Sequence, residues 1–212
     1  MSIIKSGDYF IYGDDAHQLY SSTHDLPYYN HMDIQDKVVL DVGACFGLYS
    51  KYAAEHGAKK VIAIEPDHDN FELLKMNCGH LHNIVMMEGA ATTRKVAELE
   101  LYSCGSRTMH TSYSVRGRKS TSVDAIDWEG LLYVYEPEII KMDAEGAEFE
   151  LLEVVLPDFV REVSIEFHYS VRTAIKANFA KIVEQFDSWD LVGPFIRLED
   201  TKTWLQMARW KR

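Results

Sequence analysis

The chain has 212 residues, 47% hydrophobic and 26% charged, long enough and ordinary enough in composition for one well-buried domain. A formal net charge of −11 argues against a broad basic surface for gripping a nucleic-acid backbone, leaving only a local basic group at Arg107, Arg116, Arg118 and Lys119. No apolar run approaches the ~20 residues of a membrane span, the start Met-Ser-Ile-Ile-Lys-Ser lacks a signal peptide's core, and Cys45, Cys78 and Cys104 have no Cys-x-x-Cys spacing, so a cytoplasmic chain with reduced thiols is expected.

Residues 1–37, rich in Tyr, His and Asp, read as an N-terminal cap on a core spanning residues 38–212, the whole forming a single domain. Residues 9–12 suit a short strand and residues 26–29 a turn; the aromatic side chains Tyr9, Phe10, Tyr12, Tyr20, Tyr28 and Tyr29 suit a lid or a dimer contact. Apolar runs at 38–41, 60–64 and 83–87 predict strands. Between them, residues 48–56 predict a helix stopped by Gly57. A second helix, capped by Asp67 or Asp69, carries the stripe Phe71, Leu74 and Cys78 and ends at Gly79. The pattern then alternates at 97–102 and 120–123, predicting antiparallel strands of a β insertion around residues 96–123, with a polar recognition loop at 103–118. Further strands are expected at 138–143, 162–168, 191–196 and 204–210, and helices at 147–155 and 171–186.

The run Val38-Val-Leu-Asp41-Val-Gly43-Ala44-Cys45-Phe-Gly47, followed by Val61-Ile-Ala-Ile-Glu65-Pro66, has the βαβ pattern that cradles an adenosine-containing ligand. Glycine permits the tight turn and a close approach of the backbone, whose N–H groups at the helix start would bind the ligand. Glu65 at the end of the second strand is placed to accept both hydroxyls of a ribose. A dinucleotide site requires Gly-x-Gly-x-x-Gly, whereas Gly43 and Gly47 stand four apart, which favours S-adenosylmethionine.

Asp41-Val-Gly-Ala-Cys-Phe-Gly47 resembles the Asp-Val-Gly-Ala-Asn-x-Gly run of the FkbM family of methyltransferases, with Cys45 where that family often has Asn. Residues 139–148, Ile-Ile-Lys-Met-Asp-Ala-Glu-Gly-Ala-Glu, resemble its Lys-Ile-Asp-Val-Glu-Gly-Ala-Glu signature, and residues 164–168, Ser-Ile-Glu-Phe-His, resemble a third segment. The resemblance implies an α/β, Rossmann-like class I methyltransferase with a seven-stranded, mostly parallel sheet, helices on both faces, and residues 191–196 and 204–210 as its terminal antiparallel pair.

In such a sheet the ligand lies beyond the carboxyl ends of the strands, so Asp41, Glu65, Glu88, Asp143 and His168 should face one crevice. The expected cofactor set is Asp41, Gly43, Ala44, Cys45, Gly47, Glu65, Pro66, Glu88, Gly89, Ala90 and Asp143. Asp41 would brace the turn and accept from the methionine amino group. The backbone at Gly89, Ala90 and Ala91, assisted by Glu88, would read adenine. Asp143 is either an amine ligand or an acid–base group. His168 would take a proton from an attacking hydroxyl, oriented by Glu166 two residues away on the same strand face. Glu145 and Glu148 have an alternative as favourable charges at a helix N-terminus. Asp143, Glu145, Glu166 and His168 also form an oxygen-rich set suited to Mg²⁺ or Ca²⁺. The expected activity is O-methylation of a small hydroxylated metabolite or sugar, with nucleic acid and membrane disfavoured as partners; the alternatives are a non-catalytic S-adenosylmethionine-binding module and a nicotinamide-dependent oxidoreductase.

Overall fold

The computed structural model describes residues 2–15, 18–19, 31–103, 110–111, 119–168, 182, 184–192, 196–197 and 205–212. A hairpin of β1 (Ile3–Ser6) and β2 (Tyr9–Tyr12) opens the chain. The core alternates β3 (Val38–Val42), α1 (Leu48–Glu55), β4 (Lys60–Glu65), α2 (His68–Cys78) and β5 (Ile84–Glu88). Next come β6 (Ala90–Thr92), β7 (Glu98–Ser103), β8 (His110–Thr111) and β9 (Ser120–Asp127). The chain ends with α3 (Trp128–Tyr135), β10 (Ile139–Met142), α4 (Glu148–Leu151), β11 (Glu162–His168), β12 (Asp190–Leu191), β13 (Ile196–Arg197) and β14 (Leu205–Lys211).

The main sheet runs β12-β14-β11-β10-β3-β4-β5, with β13 also paired to β14. Its interior pairs are parallel and β14 runs antiparallel to β11, so the sheet is seven positions wide with its outer position split between two short segments. Helices cover both faces because the strands alternate: Leu40, Val42, Ile62 and Ile64 pack with Trp128, Leu132, Phe149 and Leu151, while Val39 and Val61 pack with Tyr49 and Ala53 of α1. No helix among the described residues is long and apolar enough to cross a membrane.

The predicted antiparallel pair at 97–102 and 120–123 is present as β7 and β9, with Leu99 opposite Val123. Strand β6 pairs in parallel with β9. The polar stretch 103–118 is not simply a loop, since His110–Thr111 pairs with Tyr102 and Ser103; its Arg107, Arg116 and Arg118, and Cys104, lie outside the described residues. The helix expected at 147–155 is a single turn. After Leu152 donates to Glu148, the next bonds tighten to Glu153→Glu150 and Val154→Leu151, three residues apart, and Pro157 follows. The helix expected at 171–186 and the turn at 26–29 fall almost wholly outside the described residues. Helix α3 and strand β1 carried no expectation.

Candidate active site

The turn after β3 brings its backbone against the end of β10. At Gly43, with φ of 78°, a Cβ would stand 1.8 Å from the carbonyl oxygen of Asp143, so only glycine allows these two strand ends to meet. Gly47, with φ of 90°, serves helix packing: its Cβ would meet Leu74 Cδ1 at 2.7 Å and Cys78 Sγ at 2.9 Å. Four backbone N–H groups of this turn are engaged within the protein, ahead of the helix start at Leu48. Those of Gly43 and Ala44 donate to the Ile64 carbonyl at 3.0 and 2.9 Å, that of Gly47 to Ala44, and that of Cys45 to Glu65 Oε2 at 2.8 Å. The parallel pairing of β3 and β4 places these acceptors beside the turn.

Glu65 is nearly buried, 5% exposed, and its other oxygen accepts from Asp67 N–H at 2.9 Å, with Pro66 in the intervening link. Burial pushes its pKa up to about 7 against the opposing backbone bonds from Asp67 and Cys45. Asp67 rather than Asp69 caps α2, accepting from Asn70 N–H at 3.0 Å. Glu88 ends β5 in register with Glu65 and holds His68 at 2.7 Å on the surface. Gly89 donates to the Glu65 carbonyl at 3.1 Å, and Ala90 and Ala91 are buried in β6.

Asp41 is fully buried. Ser50 Oγ donates to its Oδ2 at 2.6 Å, and its Oδ1 has no hydrogen bond but lies 3.3 Å from Lys141 Nζ. Burial raises its pKa, with Lys141 opposing. Lys141, opposite Asp41 in register, also donates to the Gly43 carbonyl at 2.9 Å and lies 3.6 Å from Asp143 Oδ2. Burial would lower its pKa, but Asp41, Asp143 and Glu166 hold it above the ordinary value. Asp41 thus braces the turn, while Asp143, whose side chain is 29% exposed, is the accessible carboxylate. The sequence reading quoted Lys141 in a motif without giving it a role. The signal was there: a lysine inside the apolar run Ile139–Met142 has to find a buried anion, and Asp41 stands in the apolar run of the neighbouring strand.

His168, at the end of β11, is 7% exposed. Its Nδ1 faces Glu148 Oε1 at 3.1 Å; its Nε2 faces Glu145 Oε2 at 3.5 Å and Asp143 and Glu166 each at 3.8 Å. Glu148 is fully buried and also accepts from the N–H groups of Ala144 and Gly146, both at 2.8 Å. Glu148, not Glu166, therefore orients the imidazole, a residue that a helix-dipole argument alone had set aside. Burial would lower the His168 pKa, but Glu148, Glu145 and Asp143 raise it well above the ordinary value. Glu145 takes a left-handed φ of 50°, and burial raises its pKa against the pull of His168. Asp143, Glu145 and His168 present ligand atoms within 4.8 Å of one another; Glu166 is not part of that set.

A doubly wound sheet with a glycine turn after one strand and a buried acid ending the next belongs to the nucleoside-cofactor α/β folds, among them the class I, Rossmann-like methyltransferases. The Methyltransferase FkbM domain model matches residues 41–191, and the chain belongs to that family. It is similar in fold to Trm5b from Pyrococcus abyssi (TM-score 0.58, 12% identity), covering 99% of this chain and 55% of that one. It is also similar to TYW2 from M. jannaschii, solved in complex with AdoMet (TM-score 0.52, 13% identity, covering 100% of this chain and 86% of that one). Sp1610 of Streptococcus pneumoniae, a candidate tRNA (m1A22) methyltransferase, gives a TM-score of 0.50 at 11% identity, covering 89% of this chain and 69% of that one. The chain thus spans about half the length of the Pyrococcus abyssi protein.

Proposed function

We propose that this chain, acting as a single domain of residues 1–212, transfers the methyl group of S-adenosylmethionine to a hydroxyl of a small metabolite or sugar. The observation that carries the cofactor reading is Glu65: a buried carboxylate at the end of β4, held by Cys45 N–H and Asp67 N–H beside the glycine turn. A carboxylate offers about four acceptor sites, so these bonds orient Glu65 without exhausting it for a ribose. Asp143, rather than the enclosed Asp41, would receive the methionine ammonium, and the segment from Glu88 to Ala90 would flank adenine.

Bound S-adenosylmethionine supplies an electrophilic methyl group on a sulfonium, so the protein's work is alignment, exclusion of water and handling of one proton. His168 is the base, with Glu148 fixing its Nδ1 and the carboxylates of Asp143 and Glu166 stabilising the imidazolium that forms. Because its pKa is raised, turnover should climb as pH rises into the alkaline range. A small hydroxylated acceptor is favoured over nucleic acid by the net charge of −11 and by carboxylates clustered where a phosphate would otherwise approach.

A second reading has one observation behind it. Asp143, Glu145 and His168 would hold a divalent cation, Mg²⁺ or Ca²⁺, fixing two oxygens of the acceptor, because their ligand atoms converge within 4.8 Å. Turnover unchanged by exhaustive chelation would remove this reading.

Calorimetric titration with S-adenosylmethionine, S-adenosylhomocysteine and NAD, repeated on Glu65→Ala, tests the main proposal. Binding of the first two, lost in the variant, supports it; binding of NAD alone supports an oxidoreductase. Cofactor binding without turnover across a panel of hydroxylated acceptors would favour a binding module.

A further inference from the structure

The N-terminal hairpin precedes the family match, which begins at Asp41, yet it is fastened to the elements that carry the cofactor site. Phe10 N–H donates to Asn77 Oδ1 at 2.7 Å. Asn77 Nδ2 in turn donates to the carbonyls of Phe10 and Phe46 at 2.9 and 2.7 Å, joining β2 to α2 and the glycine turn. Tyr9 packs edge-on against Phe46 and its hydroxyl reaches the Leu48 carbonyl at 3.3 Å. Beyond β2, Gln18 is fully buried, its own N–H donating to Asp15 Oδ1 at 3.0 Å.

Gln18 has a direction imposed on it. Tyr12 N–H donates to Gln18 Oε1 at 2.9 Å, so the amide nitrogen must face the other way, where Nε2 donates to Asn70 Oδ1 at 2.9 Å. With its oxygen so used, Asn70 turns its amide NH₂ toward the Glu65 carboxylate, to which it donates. Asn70 is 2% exposed and its backbone is fixed by the Asp67 cap. A buried chain of hydrogen bonds therefore runs from the N-terminal segment to Glu65, each donor set by the previous acceptor.

Resting on the cofactor reading above, we propose that Gln18 is a positioning residue of the cofactor site: acting through Asn70, it holds Glu65 ready as an ionised acceptor for the ribose. Without Gln18, Asn70 Oδ1 loses the Nε2 donor that polarises and orients the amide, which weakens the bond from its NH₂ to the carboxylate. A bond to the charged form favours that form, so its loss raises the pH at which Glu65 ionises. The other groups around Glu65 are Asp67 on the following link, the Cys45 thiol on the glycine turn, and Glu88 with His68 at the neighbouring strand end. None of them touches Gln18 in the hydrogen bonds and ion pairs that fix this chain.

The test is the dissociation constant of S-adenosylmethionine from pH 6 to 9 for the wild type, Gln18→Met, Glu65→Gln and the double variant, with urea unfolding confirming that each is folded. Wild-type affinity should fall as pH drops through about 7. Gln18→Met should move that fall to higher pH, weaken binding about 3- to 10-fold at pH 7, the loss of one hydrogen bond, and approach the wild type at pH 9. In the Glu65→Gln background it should change nothing. Should Gln18→Met fail to fold, Gln18→Leu removes the same donor without adding a charge, and should give the same pH shift. An equal loss at every pH that persists with Glu65→Gln, or no loss at all, overturns the role of Gln18 while leaving the cofactor reading intact. A wild type that binds no S-adenosylmethionine at any pH overturns the cofactor reading itself.

Discussion

The glycine turn and the His168 cluster end nearby strands of one sheet, but they are built on opposite plans. Around the turn, polar groups are matched: Asp41 is braced by Ser50 and Lys141, and Glu65 is held by backbone donors from two segments. Around His168, carboxylates outnumber cations, with Asp143, Glu145 and Glu166 converging on an imidazole whose far side Glu148 already holds. Matched polar groups fix a shape, whereas an excess of one charge stores a tendency to take up a proton or a cation. The contrast separates a binding scaffold from the place where charge changes during a reaction.

The largest expected effect breaks the matched half. Lys141→Met leaves Asp41 buried with no counter-charge and should destabilise the fold by about 3–5 kcal/mol in urea unfolding. The double variant Asp41→Asn/Lys141→Met should recover most of that loss; an additive loss would show that Lys141 matters for packing rather than charge.

Glu65 also carries a burial cost in the scaffold half, because its pKa is raised to about 7. For an acid with a raised folded-state pKa, the folded form binds more protons, so its contribution is intact below about pH 4.5 and is lost as pH rises to about 7. Glu65→Gln should therefore stabilise the protein by up to ~3 kcal/mol above pH 7, with no gain at pH 4, while S-adenosylmethionine affinity falls. A variant less stable at pH 8 would contradict the stated burial cost.

In the other half, the raised pKa of His168 means that its stabilising interactions are complete below the ordinary histidine value and fade as pH rises through the folded-state value. His168→Gln should cost roughly 1.5–3 kcal/mol at pH 6, the scale of a hydrogen bond to a charged group, and less at pH 9. A pH-independent loss would mean that the ring is neutral and that the contrast between the two halves is wrong. The smallest effect is at Cys45, where a non-glycine residue takes φ of 51°. Asn tolerates this region better, so Cys45→Asn should gain about 0.5 kcal/mol, readable as a small rise in the urea midpoint.

The sequence by itself, with the parallel sheet and its antiparallel finish implied by the family resemblance, determined the alternation of strands and helices and the position of Glu65. These follow from apolar period, glycine placement and the rule that strand ends face the ligand, all of which are local. Tertiary structure alone decided the partners. Lys141 meets Asp41 because β10 and β3 pair in one register, and the N–H groups of Gly43, Ala44 and Cys45 are engaged because β4 places the Ile64 carbonyl and the Glu65 carboxylate beside them. The pKa of His168 is raised because the loop after β10 brings several acids around it. The length of α4 was likewise set by its packing and by Pro157, not by the helical pattern of residues 147–155. Hydrogen bonds and charge pairs are made between segments far apart in the chain, so only their packing in three dimensions decides which groups remain free to act.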